Sequence, residues 1–247
     1  MTKRMLISIT LALALLGAPL AAWASEGGGL MTAQVNVRDT ASVQRGARLF
    51  FNYCVGCHSL HYMRYARIGK DLGLTEKQVM DNLNFTGAKF GDTVQSSMPS
   101  ADAQKWFGKA PPDLSLEVRA KGEDWVYSYL NSFYLDPSRP VGWNNTVFPN
   151  ASMPNVLWEL QGIQVPVLGH EKGEDKPVVE RLRMDKAGQM SPAQYHAATR
   201  DLTAFLTYVS EPAALKRHSL GVWVILYLAL FTFLAFMLKR EYWKDVH

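Results

Sequence analysis

Cysteine is scarce in this 247-residue sequence, which contains only Cys54 and Cys57. Two thiols three positions apart exclude a framework of several disulfide bonds, because no other thiol is available to pair with either of them. Charged residues are also few, at 19% of the chain, and their balance gives a net charge of +4. A positive excess this small argues against nucleic acid as a partner, and a hydrophobic content of 48% excludes a chain that stays disordered.

The N-terminal end has the three-part layout of a secretory signal peptide. Two basic residues precede an apolar run over residues 5–16, and Ala22 and Ala24 then form a small-x-small site. We expect cleavage after Ala24, so that residues 1–24 are removed and the rest of the chain is exported. An uncleaved N-terminal anchor is the alternative, but the apolar run is short for a membrane span.

A second apolar run lies near the C-terminal end. Residues 219–238 are 20 consecutive residues without a charged side chain. At about 1.5 Å per residue they predict a helix of about 30 Å, which matches the hydrocarbon thickness of a membrane. Basic residues precede the run, and a basic and aromatic tail at 239–247 follows it. A buried core helix would need protein on every side, so we predict a transmembrane anchor over 219–238 with the tail 239–247 in the cytoplasm.

Residues 25–215 lie between these two segments and predict one exported domain without an internal repeat. Apolar residues at helical spacing predict four helices, at 40–53, 76–83, 124–133 and 192–211. Segments rich in glycine, serine, aspartate and proline predict loops at 85–112 and 140–154, and a charged connection is expected at 162–186. Because few segments alternate between polar and apolar residues, the predicted fold class is mainly α with long loops.

The pentapeptide CVGCH, residues 54–58, directly follows the predicted helix 40–53. It matches the attachment signature of a c-type haem. Two thiols at this spacing reach the vinyl groups along one edge of a porphyrin and form thioethers with them. The next residue, His58, then lies under the iron and supplies the proximal imidazole ligand. One short segment thus provides both the covalent tether and an axial ligand.

Two other interpretations use the same cysteines. A thioredoxin-type redox pair needs a strand–helix–strand unit, and no such pattern surrounds Cys54 and Cys57. A zinc site needs further ligands in a matching cluster, and the chain has no second CxxC and no HxxxH. Haem attachment is therefore the interpretation that the residues favour.

A second axial ligand is expected from a distant part of the chain, because six-coordinate iron suits rapid electron transfer. His61 and Met63 are too near His58 in sequence to reach the opposite face of the ring. Met98 and Met153 differ from the other methionines because each precedes a proline, in SSMPS and ASMPN, and this restricts the backbone to an extended conformation. The residues alone do not choose between these two.

Five blocks of the sequence, in the same order, resemble the cytochrome c1 family of cytochrome bc1 complexes. The blocks are FNYCVGCHSLHYMRY at 51–65, APPDLS at 110–115, GEDWVYSYL at 122–130, NASMPNVLWELQG at 150–162 and MSPAQYHAATRDLTAFLTYVSEP at 190–212. The resemblance covers nearly the whole chain after the predicted signal peptide. It implies a cytochrome c-like haem domain with long loops, followed by one C-terminal transmembrane helix.

The resemblance also implies the cofactor and its ligands. One haem c would be bound covalently through Cys54 and Cys57, with His58 and Met153 as the iron ligands. Met153 is preferred to Met98 here because the methionine ligand of the family lies in the block that resembles ASMPNVLW.

Further site residues follow from the same resemblance. Pro111 and Pro112 correspond to the part of the pocket wall that lies against the haem. The family has an arginine shortly after this wall that meets a haem propionate, and this sequence offers Arg119 and then Lys121 in a shorter stretch. Which of the two has that role stays open, and a lysine would act as a point charge where an arginine presents a planar fork.

The activity that the resemblance implies is electron relay without a catalytic site in this chain alone. As an electron-transfer subunit of ubiquinol–cytochrome c reductase, the chain would take single electrons from a Rieske iron-sulfur protein and pass them to cytochrome c. Its partners would be these two proteins, cytochrome b and the bacterial inner membrane, with the haem domain on the periplasmic side. Alternatives are an anchored cytochrome c that donates directly to a terminal oxidase, a haem enzyme such as a peroxidase, and a non-redox anchor or assembly factor.

Overall fold

A computed structural model describes residues 29–170 and 177–245 of the chain. The predicted signal peptide, residues 1–24, lies outside the described residues. In chain order the helices and strands are α1 (Thr40–Tyr53), β1 (Leu60–Arg64), α2 (Tyr65–Leu72), α3 (Glu76–Leu83), β2 (Thr93–Val94), α4 (Ser100–Phe107), α5 (Glu117–Lys121), α6 (Glu123–Asn131), β3 (Phe133–Leu135), β4 (Trp143–Asn145), α7 (Trp158–Gln161), β5 (Gly162–His170), β6 (Pro177–Ala187), α8 (Pro192–Ser210) and α9 (Ala214–Tyr242).

The prediction of a mainly helical fold with long loops is confirmed, and each of the four predicted helices is present. Helices α1 and α3 have the predicted bounds, and α8 ends one residue before the predicted end. Their first turns are capped by side chains: Asp39 accepts from the Ser42 N–H, and Thr75 and Ser191 each form a capping box. Helix α6 ends at Asn131, two residues early, because Phe133 begins strand β3.

The prediction of a charged connection over 162–186 is wrong at 162–170 and 177–186, and residues 171–176 lie outside the described residues. Strands β5 and β6 pair in antiparallel orientation there, with Gly162 opposite Ala187. Two register shifts, at Ile163/Gln164 and Val167/Leu168, interrupt the pairing. Each shift moves the following side chains to the other face of the ribbon, so the sequence does not show the simple alternation that reveals a strand.

The predicted loop over 85–112 also contains regular structure. Strand β2 pairs with β1, and helix α4 occupies Ser100–Phe107 between Pro99 and the left-handed Gly108. Only Ala103 of this helix is buried, so it has no apolar stripe that the sequence could reveal.

The core is centred on the contact between α1 and α8. Phe50 and Phe51 of α1 pack against Phe205 of α8, with ring centroids 5.6 and 6.3 Å from the Phe205 ring. Gly46 lies at the point of closest approach, where an added Cβ would be 1.9 Å from the Asp201 carbonyl oxygen. The same apolar cluster includes Cys54, so the packing of these two helices fixes the start of the CVGCH segment.

Helix α9 differs from the others in its exposure. Within the described residues it is the one helix that is long and apolar enough to cross a membrane, over Leu220–Tyr242. Its large apolar side chains, including Trp223 and Ile225, are exposed. A helix that is apolar on every side and covered by no part of its own chain fits a transmembrane segment.

Candidate functional site

The CVGCH segment is a tight turn built on the end of α1. The Cys54 N–H donates to the Phe50 carbonyl at 2.8 Å, and the N–H groups of Cys57 and His58 both donate to the Cys54 carbonyl, at 3.0 and 2.8 Å. Cys54 is buried and Cys57 is half-buried. Both thiols are free, and the turn places them with His58 at one end of the helix.

His58 is held in one orientation by the loop 110–115, which contains Pro111 and Pro112. Its Nδ1 lies 2.7 Å from the carbonyl oxygen of Pro112. A carbonyl only accepts hydrogen bonds, so Nδ1 carries the proton and Nε2 is left with a free lone pair. An imidazole whose other nitrogen donates to a backbone carbonyl is the usual arrangement of a histidine that binds a metal.

Burial keeps this imidazole neutral. His58 is 8% exposed. The loss of solvation lowers its pKa, and the hydrogen bond to Pro112 and the charges of Glu117 and Asp113 oppose that effect without reversing it. The neutral form is the one that coordinates iron.

The two thiols are also neutral. Burial raises the pKa of Cys54 to about 12, with a smaller contribution from Cys57, and burial raises the pKa of Cys57 as well. A thioredoxin-type nucleophile needs the opposite shift, toward a stable thiolate. A zinc site also lacks support, because residues 29–170 and 177–245 contain no group of three or more His, Cys, Asp or Glu side chains that could hold a metal.

The loop 110–115 is fastened to the CVGCH segment by contacts that the sequence analysis missed. The Leu114 N–H donates to the Ser59 carbonyl at 3.0 Å. The Asp113 carboxylate accepts from the backbone N–H of His61 at 2.8 Å and from that of Ser115 at 2.9 Å. The only sequence signal is the pair Asp113 and Ser115, which is typical of an Asx turn, and nothing in it indicates its partner.

The prolines and the two basic residues have different surroundings. Pro111 is half-buried, and Pro112 is exposed although its carbonyl contacts His58. Arg119 and Lys121 both lie on α5 and are exposed. Lys121 Nζ is 5.4 Å from the centroid of the Trp125 ring.

The two candidate methionines lie on different loops. Met98 follows β2, whose Val94 pairs with Leu60, two residues beyond His58. Met153 lies in the loop between β4 and α7. Both methionines are half-buried, so burial does not separate them.

These residues fit a covalently attached haem: two neutral thiols in one turn, and a buried neutral imidazole whose Nε2 is free. A family model described as Cytochrome C1 family matches residues 31–246. The chain belongs to the cytochrome c1 family. It is therefore a c-type cytochrome of the kind found in bc1-type complexes, and membership implies covalently bound haem c.

Individual relatives match nearly the whole of this chain. The chain is 50% identical to cytochrome c1 of Allochromatium vinosum, over 97% of this chain and 99% of the relative. It is 40% identical to the ammonia monooxygenase gamma subunit of Nitrosomonas europaea, over 96% of this chain and 97% of the relative. The mitochondrial cytochrome c1 haem protein of Saccharomyces cerevisiae is 25% identical, over 94% of this chain and 74% of the relative.

Proposed function

We propose that the chain relays single electrons from a Rieske iron-sulfur protein to cytochrome c within a quinol–cytochrome c oxidoreductase. The observation that carries the proposal is the hydrogen bond between His58 Nδ1 and the Pro112 carbonyl, beside two free thiols in a member of the cytochrome c1 family. This arrangement prepares the imidazole to bind a metal, which an electron relay through haem iron requires.

The proposed ligand set is drawn from four residues. Cys54 and Cys57 would attach the haem through thioether bonds, and His58 Nε2 and the Met153 sulfur would hold its iron. Haem c, once attached, supplies an iron that alternates between the ferric and ferrous states and so carries one electron at a time. The protein holds the imidazole through Pro112 and keeps water from the buried side of the turn.

The remaining site residues are proposed in more general roles. Pro111 and Pro112 form part of the wall against the haem, and one of Arg119 and Lys121 meets a propionate. Lys121 already lies over the Trp125 ring, whereas Arg119 offers a planar fork that matches a carboxylate. On chemical grounds Arg119 is the better partner for a propionate.

The proposed topology places this domain outside the cytoplasm. Residues 1–24 are a cleaved signal peptide, 25–215 form the periplasmic haem domain, 219–238 anchor it in the inner membrane, and 239–247 face the cytoplasm. The exposed apolar surface of α9 supports the anchor, since a helix with this surface is insoluble unless lipid or protein covers it.

Purification from membranes in a mild detergent tests the proposed function. A tag on the cytoplasmic end should recover cytochrome b and a Rieske protein together with this chain. The haem of the recovered complex should be reduced by a quinol only while the Rieske protein is present. Recovery with a terminal oxidase alone, and reduction without a Rieske protein, would favour the anchored cytochrome c alternative. Absence of covalent haem in a pyridine haemochrome assay would favour the non-redox alternative.

Substitution of the two candidate methionines tests the ligand assignment. Met153→Ala should abolish the far-red sulfur-to-iron absorption band of the ferric protein and lower its reduction potential, because methionine ligation raises the potential of a His-ligated haem. Met98→Ala is the matched control, since it also removes a half-buried methionine that precedes a proline. It should keep the band. Loss of the band in Met98→Ala and its survival in Met153→Ala would reverse the assignment.

A further inference from the structure

The loop that carries Met153 is bonded to the protein body by a pair of buried amides. Asn155, two residues after Met153, donates through Nδ2 to Gln161 Oε1 at 2.7 Å. Its Oδ1 accepts from the Leu157 N–H at 3.1 Å. Asn155 is 2% exposed and Gln161 is 5% exposed. Buried amides are costly unless they are hydrogen-bonded, so this pair specifies one arrangement of the loop.

Gln161 extends the connection to the helical core. Its Nε2 donates to the Asn131 carbonyl at the end of α6, at 3.3 Å. Asn131 in turn donates through Nδ2 to Thr199 Oγ1 at 3.1 Å, and Thr199 lies on α8. A continuous set of buried hydrogen bonds therefore runs from the Met153 loop to α8, which packs against the haem-attachment helix α1.

The other end of the same loop is also held by asparagine side chains. Asn145 accepts through Oδ1 from the N–H groups of Val147 and Phe148, at 2.9 and 3.1 Å. Asn144 accepts from the N–H of Asn150 at 2.8 Å, and Asn150 has a left-handed backbone with φ of 65°. Side-chain hydrogen bonds thus hold both ends of the loop, and Met153, whose sulfur is the proposed ligand, lies between them.

We propose that the Asn155–Gln161 pair positions Met153 for iron and so determines how firmly the sulfur ligand is held. The proposal rests on the proposed function, specifically on Met153 as a ligand. Methionine sulfur is a weak ligand on a flexible side chain, so its occupancy depends on a loop that is already in place before it binds. Asn155 and Gln161 are positioning residues, since they act through the backbone of the loop and touch no reacting atom.

Competition with an added ligand measures this property directly. In the ferric holoprotein, purified as the full chain in detergent, imidazole displaces a methionine ligand and shifts the absorption spectrum. Gln161→Leu removes the acceptor for Asn155 and leaves a buried amide unpaired. We expect imidazole to bind about tenfold more tightly than in the wild type, a difference of about 1.4 kcal/mol, because a loop that has lost a buried hydrogen bond holds the methionine sulfur less firmly.

Gln164→Leu is the matched control. Gln164 donates to the same Asn131 carbonyl at 3.1 Å, and to the Phe133 carbonyl at 3.0 Å. It lies on β5 and is not bonded to the Met153 loop. The two variants therefore lose similar hydrogen bonds from the same place, yet only Gln161→Leu should raise the affinity for imidazole and weaken the sulfur-to-iron band.

Asn155→Ser gives a second test that does not depend on the folding of Gln161→Leu. A serine hydroxyl can still accept from the Leu157 N–H, as in an ST turn, but is too short to reach Gln161. This variant should bind imidazole more tightly, and combining it with Gln161→Leu should add little. Additive effects of the two substitutions would contradict the proposal.

The outcomes separate this proposal from the ligand assignment. If Met153→Ala keeps the sulfur-to-iron band, the ligand assignment is wrong and the positioning role is wrong with it. If Met153→Ala loses the band but Gln161→Leu and Asn155→Ser bind imidazole like the wild type and like Gln164→Leu, only the positioning role is wrong.

Discussion

Membranes that carry the His58→Ala variant should transfer electrons from quinol to cytochrome c more than about 100-fold more slowly per covalent haem than wild-type membranes. Substitution of a residue that only supports a metal ligand already lowers metal affinity or activity by about 10–100-fold. His58 is proposed as the ligand itself, so its loss should have a larger effect. The Pro112 carbonyl, 2.7 Å from His58 Nδ1, orients the imidazole and is not itself an iron ligand, so it cannot replace the lost side chain. Turnover in the presence of added quinol, normalised to a pyridine haemochrome assay, measures the effect.

His61→Ala is the control for this substitution. His61 follows His58 by three residues, but its side chain is 51% exposed and its Nδ1 bonds to Asp113 at 2.8 Å. Loss of a surface side chain changes stability by about 0.5 kcal/mol or less, so turnover should stay within about twofold of the wild type. Equal turnover per haem in His58→Ala and the wild type would contradict the role of His58. An equal loss of turnover in His58→Ala and His61→Ala would show that the substitutions disturb the segment as a whole and would also contradict a specific role for His58.

The sequence predicted the parts of the fold that depend on neighbouring residues. Apolar residues on one face predicted helix α1, and the CVGCH motif is chemically complete within five residues. The antiparallel pair β5–β6 was missed because its two register shifts change which face each residue occupies. Local signals are lost when the backbone departs from a regular period.

Local sequence patterns could not predict the hydrogen bonds that support the site. His58 and Pro112 are 54 positions apart, and the hydrogen bond between them involves a backbone carbonyl that no residue type identifies. The Asn155–Gln161 bond joins two side chains of ordinary polar type, which in a sequence are equally typical of solvent-exposed loops. Only their burial distinguishes them, and burial follows from how α6, α7 and α8 meet.

The contact between α1 and α8 leaves no room for a side chain at Gly46. A Cβ at this residue would be 1.9 Å from the Asp201 carbonyl oxygen, 2.6 Å from its carbonyl carbon and 2.8 Å from Phe205 Cβ. Two of these atoms are backbone, so no change of rotamer relieves the overlap and α8 must move away from α1. Movement would also separate Phe50 from Phe205 and displace the helix end that carries Cys54.

Gly46→Ala should therefore destabilise the protein although alanine favours helices by up to about 1 kcal/mol over glycine. Overpacking costs about 1–3 kcal/mol, and a clash with backbone belongs at the upper end. After the helix preference of alanine is subtracted, about 2 kcal/mol remains, which corresponds to a fall in Tm of roughly 4–8 °C. Thermal unfolding of the full-length holoprotein in detergent, followed by the haem absorption, measures it. Gly91→Ala is the control, because a Cβ at Gly91 meets no atom within 4 Å. A Tm for Gly46→Ala equal to that of Gly91→Ala would mean that α1 and α8 are not packed this closely. A lower Tm in Gly46→Ala alone would show that the close contact between α1 and α8 at Gly46, eight residues before Cys54, stabilises the helix that carries the haem-attachment segment.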